Sequence, residues 1–339
     1  MAYKRIISLI LIALGVLLTA QVLKSKAFDT GKNGMTYLVV GFDDAAENTD
    51  VLFILNYRPD KNEIRVIQIP RDSYFDFGSR QNKINQYFAY KRADNLSRKE
   101  AIMALRDEIS HQFDIEFDGY FGLSTEAFKA LIDEIGGVRV YTSHPFEITD
   151  ASGRTLLSLK VGENILDSKE ALLLVRHRRS YATADLGRLD AQKLFISGFI
   201  RTLTENVGAA DIIRLARRDI GILVDIPIAD VIRLITRHFG NIKDATMSFV
   251  TLPGRAAEID GIGYYILNRK ANEKLFFDTF DSKVFDKNGR FTNSENKIIS
   301  SIYNDDGIEI KIQSALDLNM RIIIPENKRG KGDLYGIRS

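Results

Sequence analysis

The sequence predicts an α/β layered domain, and three observations predict it. Short apolar runs bounded by turn residues read as buried strands. Amphipathic stretches with their own capping signals alternate with those runs, as they do where helices pack in layers on a sheet. No repeat period and no glycine-rich nucleotide loop of the GxxxxGKS/T or GxGxxG kind occurs in the 339 residues, which sets aside solenoids and dinucleotide folds.

Met1 to Arg5 is followed by an apolar run of 18 residues, Ile6 to Leu23, broken only by Ser8, Gly15, Thr19 and Gln21. About 20 apolar residues span a bilayer, so the run reads as an uncleaved membrane anchor. A cleaved signal peptide, cut after Leu18-Thr19-Ala20, is the alternative. Lys24, Lys26 and Lys32 after the run balance Lys4 and Arg5 before it, so charge alone does not orient it. The short amino terminus favours a cytoplasmic tip (1–5), an anchor (6–23), a polar stalk (24–34), an extracytoplasmic domain (35–275) and a C-terminal extension (276–339).

Thr36–Val40, Val51–Tyr57 and Ile64–Ile69 read as strands. The last two are spaced for a hairpin through Arg58-Pro59-Asp60-Lys61-Asn62. Ser97 and Glu100 form a capping box, opening a helix with Ile102, Leu105, Ile109 and Phe113 on one face. Ser124 caps a helix over 126–135 that stops at Gly136-Gly137. Val138–Tyr141 is a strand and Ser168–Val175 a short helix. A long amphipathic helix runs from Arg188 to about Val207, and another spans 229–239. Met247–Leu252 is a strand ending at Pro253-Gly254. Beyond it, 307–313 and 321–324 read as strands and 328–339 as a mobile basic tail.

Composition narrows the chemistry. The net charge is +2, so no global basic field marks a nucleic-acid binder. Cysteine is absent, which removes disulfides, zinc-thiolate sites and thiol nucleophiles. Tryptophan is absent too, and the four histidines form no HExxH pair.

Charged residues cluster instead just after the apolar runs. Asp43 and Asp50 flank one loop, and paired carboxylates suit Mg²⁺, which takes one or two of them and keeps waters or phosphate oxygens. A turn aspartate beside a strand-start aspartate is the plain alternative. Arg71 follows Pro70, whose missing N–H tends to end sheet pairing and so projects Arg71 off the strand. An ordinary Arg71–Asp72 surface pair is the plain alternative. Arg176 and Arg178, two apart in an extended segment, share a face, where two guanidiniums repel unless an anion lies between them. Arg188 and Gln192 lie one helical turn apart. A cation near a helix start opposes the dipole, which a bound anion would explain. Lys83 and Asn85 sit among Tyr87, Phe88 and Tyr90, and the Lys83 ammonium suits a second phosphate. A planar guanidinium matches two phosphate oxygens at once, so the set suggests a phosphate-handling site.

Nine short motifs in fixed order carry a resemblance over roughly residues 36–270. They are Gly41-Phe42-Asp43, Thr49-Asp50, Ile69-Pro70-Arg71-Asp72, Lys83-Ile84-Asn85, Asp118-Gly119-Tyr120, Ile135-Gly136-Gly137-Val138, Val175-Arg176-His177-Arg178, Asp185-Leu186-Gly187-Arg188 with Gln192, and Thr251-Leu252-Pro253-Gly254. In this order behind one apolar segment, the chain resembles the LytR-CpsA-Psr family. The resemblance implies a central mixed β-sheet flanked by helices on both faces, outside the cytoplasm and preceded by one N-terminal transmembrane helix. It implies a phosphotransferase that moves a glycopolymer, such as teichoic acid or capsule, from a polyprenyl-pyrophosphate carrier to peptidoglycan, with the membrane as a partner and no nucleic acid.

The same resemblance puts Mg²⁺, or Mn²⁺ in its place, on Asp43 and Asp50. It places Arg71, Arg176, Arg178, Arg188 and Gln192 at the pyrophosphate. It puts the lipid in an apolar tunnel for which Phe195, Phe199 and Leu203 are candidate wall residues, with core packing as the alternative for each. The general base is not evident, and Asp72 serves either there or in orienting an arginine. Two positions depart from the family pattern: Asp44 and Ala45 follow the first aspartate where an arginine is common, and Ala191 precedes the glutamine where an arginine is common. A non-catalytic membrane-anchored receptor or regulator of polyprenyl-phosphate glycans is the alternative these departures keep open.

Overall fold

A computed structural model of the chain describes residues 34–43, 48–58, 61–77, 82–142, 145–177, 185–208, 210, 221–227, 245–280 and 313–314. The expected anchor, the helix at 229–239, the strand at 321–324 and all but the last residue of the strand at 307–313 lie outside the described residues, as do Ala45 and Arg178. Among the described residues no helix is long and apolar enough to cross a membrane.

The elements run β1 (Met35–Phe42), β2 (Thr49–Arg58), β3 (Glu63–Gln68), α1 (Ile84–Ala93), α2 (Arg98–Phe113), β4 (Gly119–Leu123), α3 (Thr125–Glu134), β5 (Val138–Thr142), β6 (Phe146–Thr149), β7 (Thr155–Leu159) and β8 (Gly162–Leu166). They continue with α4 (Ser168–Arg176), α5 (Asp185–Asn206), β9 (Leu223–Val224), β10 (Thr246–Thr251), β11 (Gly254–Ile259), β12 (Ile262–Leu267), α6 (Arg269–Phe280) and β13 (Gln313–Ser314).

A seven-stranded sheet in the order β13-β10-β3-β2-β1-β4-β9 forms the centre. It is mixed, as expected: β1 pairs parallel with β4 and β3 with β10, while β2 runs antiparallel between β1 and β3. The strands β10, β3, β1 and β4 therefore point the same way, and their carboxyl ends share one edge. Ligands in α/β sheets bind outside that edge.

Alternation along the strands sends side chains to two separate cores. Leu38, Val40, Leu52, Ile54 and Ile67 face a core closed by α1, α2 and α6 through Phe88, Ile102, Leu105, Phe113 and Phe276. Tyr37, Phe53, Leu55, Val66 and Phe121 face the other side, covered by α3, α4 and α5 through Leu131, Leu174, Leu194, Phe195 and Phe199. The two capping expectations hold in detail. The Ser97 hydroxyl accepts from the Glu100 N–H, while the Glu100 carboxylate accepts from the Ser97 N–H. The Ser124 hydroxyl accepts from the Ala127 N–H.

Val138–Tyr141 is a strand, as expected, and pairs with β8 in a small sheet of its own. The sequence reading passes over β4 and α1, among other elements. β4 escapes notice because two of its five residues are glycine. One of them, Gly122, is there for space: a Cβ would lie 2.7 Å from the Ile102 methyl carbon and 3.2 Å from the Phe42 ring. α1 escapes because its N-cap residue, Lys83, makes no side-chain capping bond, so nothing in the sequence marks its start.

Candidate active site

The site forms where the shared edge of the sheet meets α3, α4 and α5. Near the end of β1, Gly41 pairs with Val51, but Phe42 pairs with Thr49, so Asp50 is the extra residue of a β-bulge. A bulge re-aims side chains. Regular alternation would send Asp50 to the same face as Leu52 and Ile54. The bulge instead places it beside Val51, on the face that carries α3, α4 and α5. Gly41 lies opposite Val51 because a Cβ there would come within 3.0 Å of the valine Cβ.

On that face lies a cavity of about 170 Å³, predominantly apolar, walled by Val39, Phe53, Leu55, Phe128, Phe195 and Phe199 among others. Asp50, Arg176, Arg188 and Gln192 also line it. Residues far apart in the chain thus put two guanidiniums, one carboxylate and one amide on a single greasy hollow. Arg188 is 2% exposed.

A second group adjoins it. Arg71 Nη1 lies 2.6 Å from Asp50 Oδ1, and Arg71 Nε lies 3.8 Å from Asp72 Oδ2. Lys83 Nζ donates to Asp72 Oδ1 at 3.1 Å and sits 5.7 Å from the centre of the Tyr264 ring. Asn85 contributes backbone: its N–H donates to the Arg71 carbonyl, and its own carbonyl accepts from the Thr49 hydroxyl. Asp43 accepts from the Asn48 side-chain amide at 3.0 Å.

The structure thus links Asp50, Arg71, Asp72 and Lys83 in one run of ion pairs, and it joins Asp50 to Arg176 and Arg188 at the cavity. Leu203 is apart from the wall: it is 3% exposed and packs into the core. The face-sharing argument for Arg176 and Arg178 is corrected in one respect. Arg176 ends a helix, and the extended backbone begins at His177. Arg176 is aimed instead by its own contacts, donating from Nη2 to the Thr125 hydroxyl at 2.7 Å and to the Phe42 carbonyl at 3.4 Å. Ala191 is fully buried in the apolar core, so that position is filled by packing and leaves no gap where a cation is missing.

Sequence reasoning passed over Thr125, Phe128 and Gln68. Gln68 is the one with a legible signal, as an amide closing β3 directly after Val66 and Ile67. It is 1% exposed and donates to the Gln192 carbonyl oxygen at 2.8 Å.

The model of the LytR_cpsA_psr family matches residues 18–279. The chain belongs to the LytR-CpsA-Psr family. Relatives include the polyisoprenyl-teichoic acid–peptidoglycan teichoic acid transferase TagU of Oceanobacillus iheyensis, 24% identical over 70% of this chain and 72% of that protein. The transferase of the same name from Halalkalibacterium halodurans is 28% identical over 52% of this chain and 55% of its own length. TagV of Bacillus subtilis is 26% identical over 58% of this chain and 50% of its own length. The chain thus spans only about half the length of the latter two. The crystal structure of B. subtilis TagV aligns with a TM-score of 0.60 at 21% identity, covering 74% of this chain and 98% of that one. TagT bound to LIIa-WTA aligns with a TM-score of 0.57 at 22% identity, covering 77% and 96%. At these identities the structures establish a shared fold.

The donor set at Asp43 and Asp50 fits a hard divalent cation. Both carboxylates stand at the same end of the β1–β2 pair, all their donors are oxygen, and the bulge turns Asp50 toward the cavity. Among the described residues no group of three or more histidines and carboxylates gathers. Two carboxylates alone are what Mg²⁺ uses when it keeps water or phosphate oxygens as further ligands.

Proposed function

We propose that this chain is a membrane-anchored, extracytoplasmic phosphotransferase that moves a phospho-glycopolymer from a polyprenyl-pyrophosphate carrier to peptidoglycan. The observation that carries the reading is the apolar cavity with Asp50, Arg176 and Arg188 in its lining. An isoprenoid is the ligand class that joins a long apolar chain directly to a pyrophosphate, and this hollow offers surface for both. The family and the names of the relatives support the same reading.

In the reaction, a hydroxyl oxygen of peptidoglycan attacks the sugar-proximal phosphorus. The bond from that phosphorus to the bridging oxygen breaks, polyprenyl phosphate leaves, and the hydroxyl proton passes to a base. Phosphoryl transfer needs positioning and charge neutralisation more than covalent help from the protein. Arg176 and Arg188 neutralise charge from the cavity lining, and Arg71, held by Asp50, extends the field to the rim. Asp43 and Asp50 would hold Mg²⁺, which supplies further neutralisation of phosphate oxygens when bound. Asp72 lies between Lys83 and Arg71 and outside the cavity lining, which supports an orienting role over that of base.

The test is direct. The purified full-length chain, a labelled lipid-linked saccharide, peptidoglycan and Mg²⁺ should yield a covalent saccharide–peptidoglycan conjugate, and chelation should stop it. Tight lipid binding with no conjugate would replace the transferase by a receptor. No lipid binding at all would remove both.

A further inference from the structure

A chain of buried hydrogen bonds ties together the three elements that carry the arginines. The Thr251 hydroxyl at the end of β10 donates to the Gln68 carbonyl oxygen at 3.1 Å. The Gln68 amide at the end of β3 donates to the Gln192 oxygen at 2.8 Å and reaches the Leu189 carbonyl at 3.5 Å. The Gln192 amide then donates to the Val175 carbonyl at 3.1 Å. Every link runs donor to acceptor in one direction, the arrangement in which hydrogen bonds polarise and strengthen one another.

The endpoints matter more than the length. Val175 immediately precedes Arg176 in the last turn of α4, where carbonyls lack helical partners and need an outside donor. Gln192 lies one turn after Arg188 on α5. Gln68 lies three residues before Arg71. Gln68 is 1% exposed and Gln192 is 3% exposed, so neither amide has water as a ready substitute. Breaking one link would leave buried polar groups unsatisfied and free β3, α4 and α5 to shift relative to one another.

We propose that Gln68 is a positioning residue. Through Gln192 it fixes the spacing of Arg71, Arg176 and Arg188, and so sets how well the site grips a pyrophosphate. Gln192, whose oxygen is taken by Gln68 and one of whose N–H groups is given to Val175, still lines the cavity and keeps a second N–H for the ligand. This inference rests on the transferase reading, because it assigns the cavity a pyrophosphate.

The test compares two commercial probes on the full-length chain by calorimetry: geranylgeranyl pyrophosphate, and geranylgeraniol, which shares the tail but lacks the charge. The wild type should prefer the pyrophosphate. Gln68→Met keeps the volume and removes the hydrogen bonds. It should cut pyrophosphate affinity about tenfold and leave the alcohol within about twofold. A merely packing role would weaken both probes together and overturn the proposal. An unchanged preference in Gln68→Met would overturn it as well, with the transferase reading intact. A wild type with no preference for the pyrophosphate would instead sink the transferase reading and this inference with it.

Discussion

The two faces of the central sheet are built from the same strands and come out differently. On one face, Leu38, Val40, Ile54 and Ile67 meet α1, α2 and α6 in a filled core that includes Phe88, Phe113 and Phe276, each fully buried. On the other, Val39, Phe53, Leu55 and Phe121 meet α3, α4 and α5 around a hollow of about 170 Å³. Protein interiors are normally close-packed, so the filled face behaves as a core should. The hollow face gives up packing, and Asp50, Arg176 and Arg188 line it. On the transferase reading, the difference divides stability and activity between the two sides of one sheet.

Truncation should show that division most strongly. Phe113→Ala should destabilise by about 3–5 kcal/mol, because a cavity opens in a filled core. Phe199→Ala should cost less, because one side of that ring already borders the hollow. Urea unfolding of both variants checks this, and equal losses would mean that the two faces pack alike. Charge should show the reverse. Arg71→Ala and Asp50→Ala should each lower saccharide transfer at least about 100-fold, the loss seen when a group stabilising transition-state charge is removed. Their unfolding midpoints should stay close to that of the wild type. Full transfer by both variants would remove the charged group from the mechanism.

The smallest effect is a control on the filled side. Ser97→Ala removes the capping box of α2 and should cost about 1 kcal/mol, with transfer unchanged.

Much of the fold was legible because its signals are local. Ser97 with Glu100 marked a helix start, and short apolar runs bounded by turn residues at 51–57 and 64–69 marked a pair of strands. Expectation and structure part where the cause is tertiary. Gly119 and Gly122 hide β4 from any propensity argument, since Gly122 is required by contact with Ile102 and Phe42. The site was legible as a set of residue types after strands, and the structure brings Asp50, Arg71, Arg176 and Arg188 to one place. What the sequence could not display is how they are aimed. The bulge at Asp50 is a matter of register, the support of Arg176 by Thr125 joins residues 51 positions apart, and the Gln68–Gln192 bond spans 124. Leu203 shows the converse: a helical period selects the buried face but does not tell the wall of a cavity from the core behind it.

One matched pair of neighbouring residues tests the central claim most directly. Val39 faces the hollow and Val40, fully buried, faces the filled core. Val39→Phe should place its added volume in the cavity, leave the unfolding free energy within about 1 kcal/mol of the wild type, and abolish both polyprenyl binding and transfer. Val40→Phe should overpack and destabilise by about 1–3 kcal/mol, while the molecules that remain folded still bind lipid. Contradiction would come from a Val39→Phe variant that binds and transfers as the wild type does, or one that unfolds as readily as Val40→Phe.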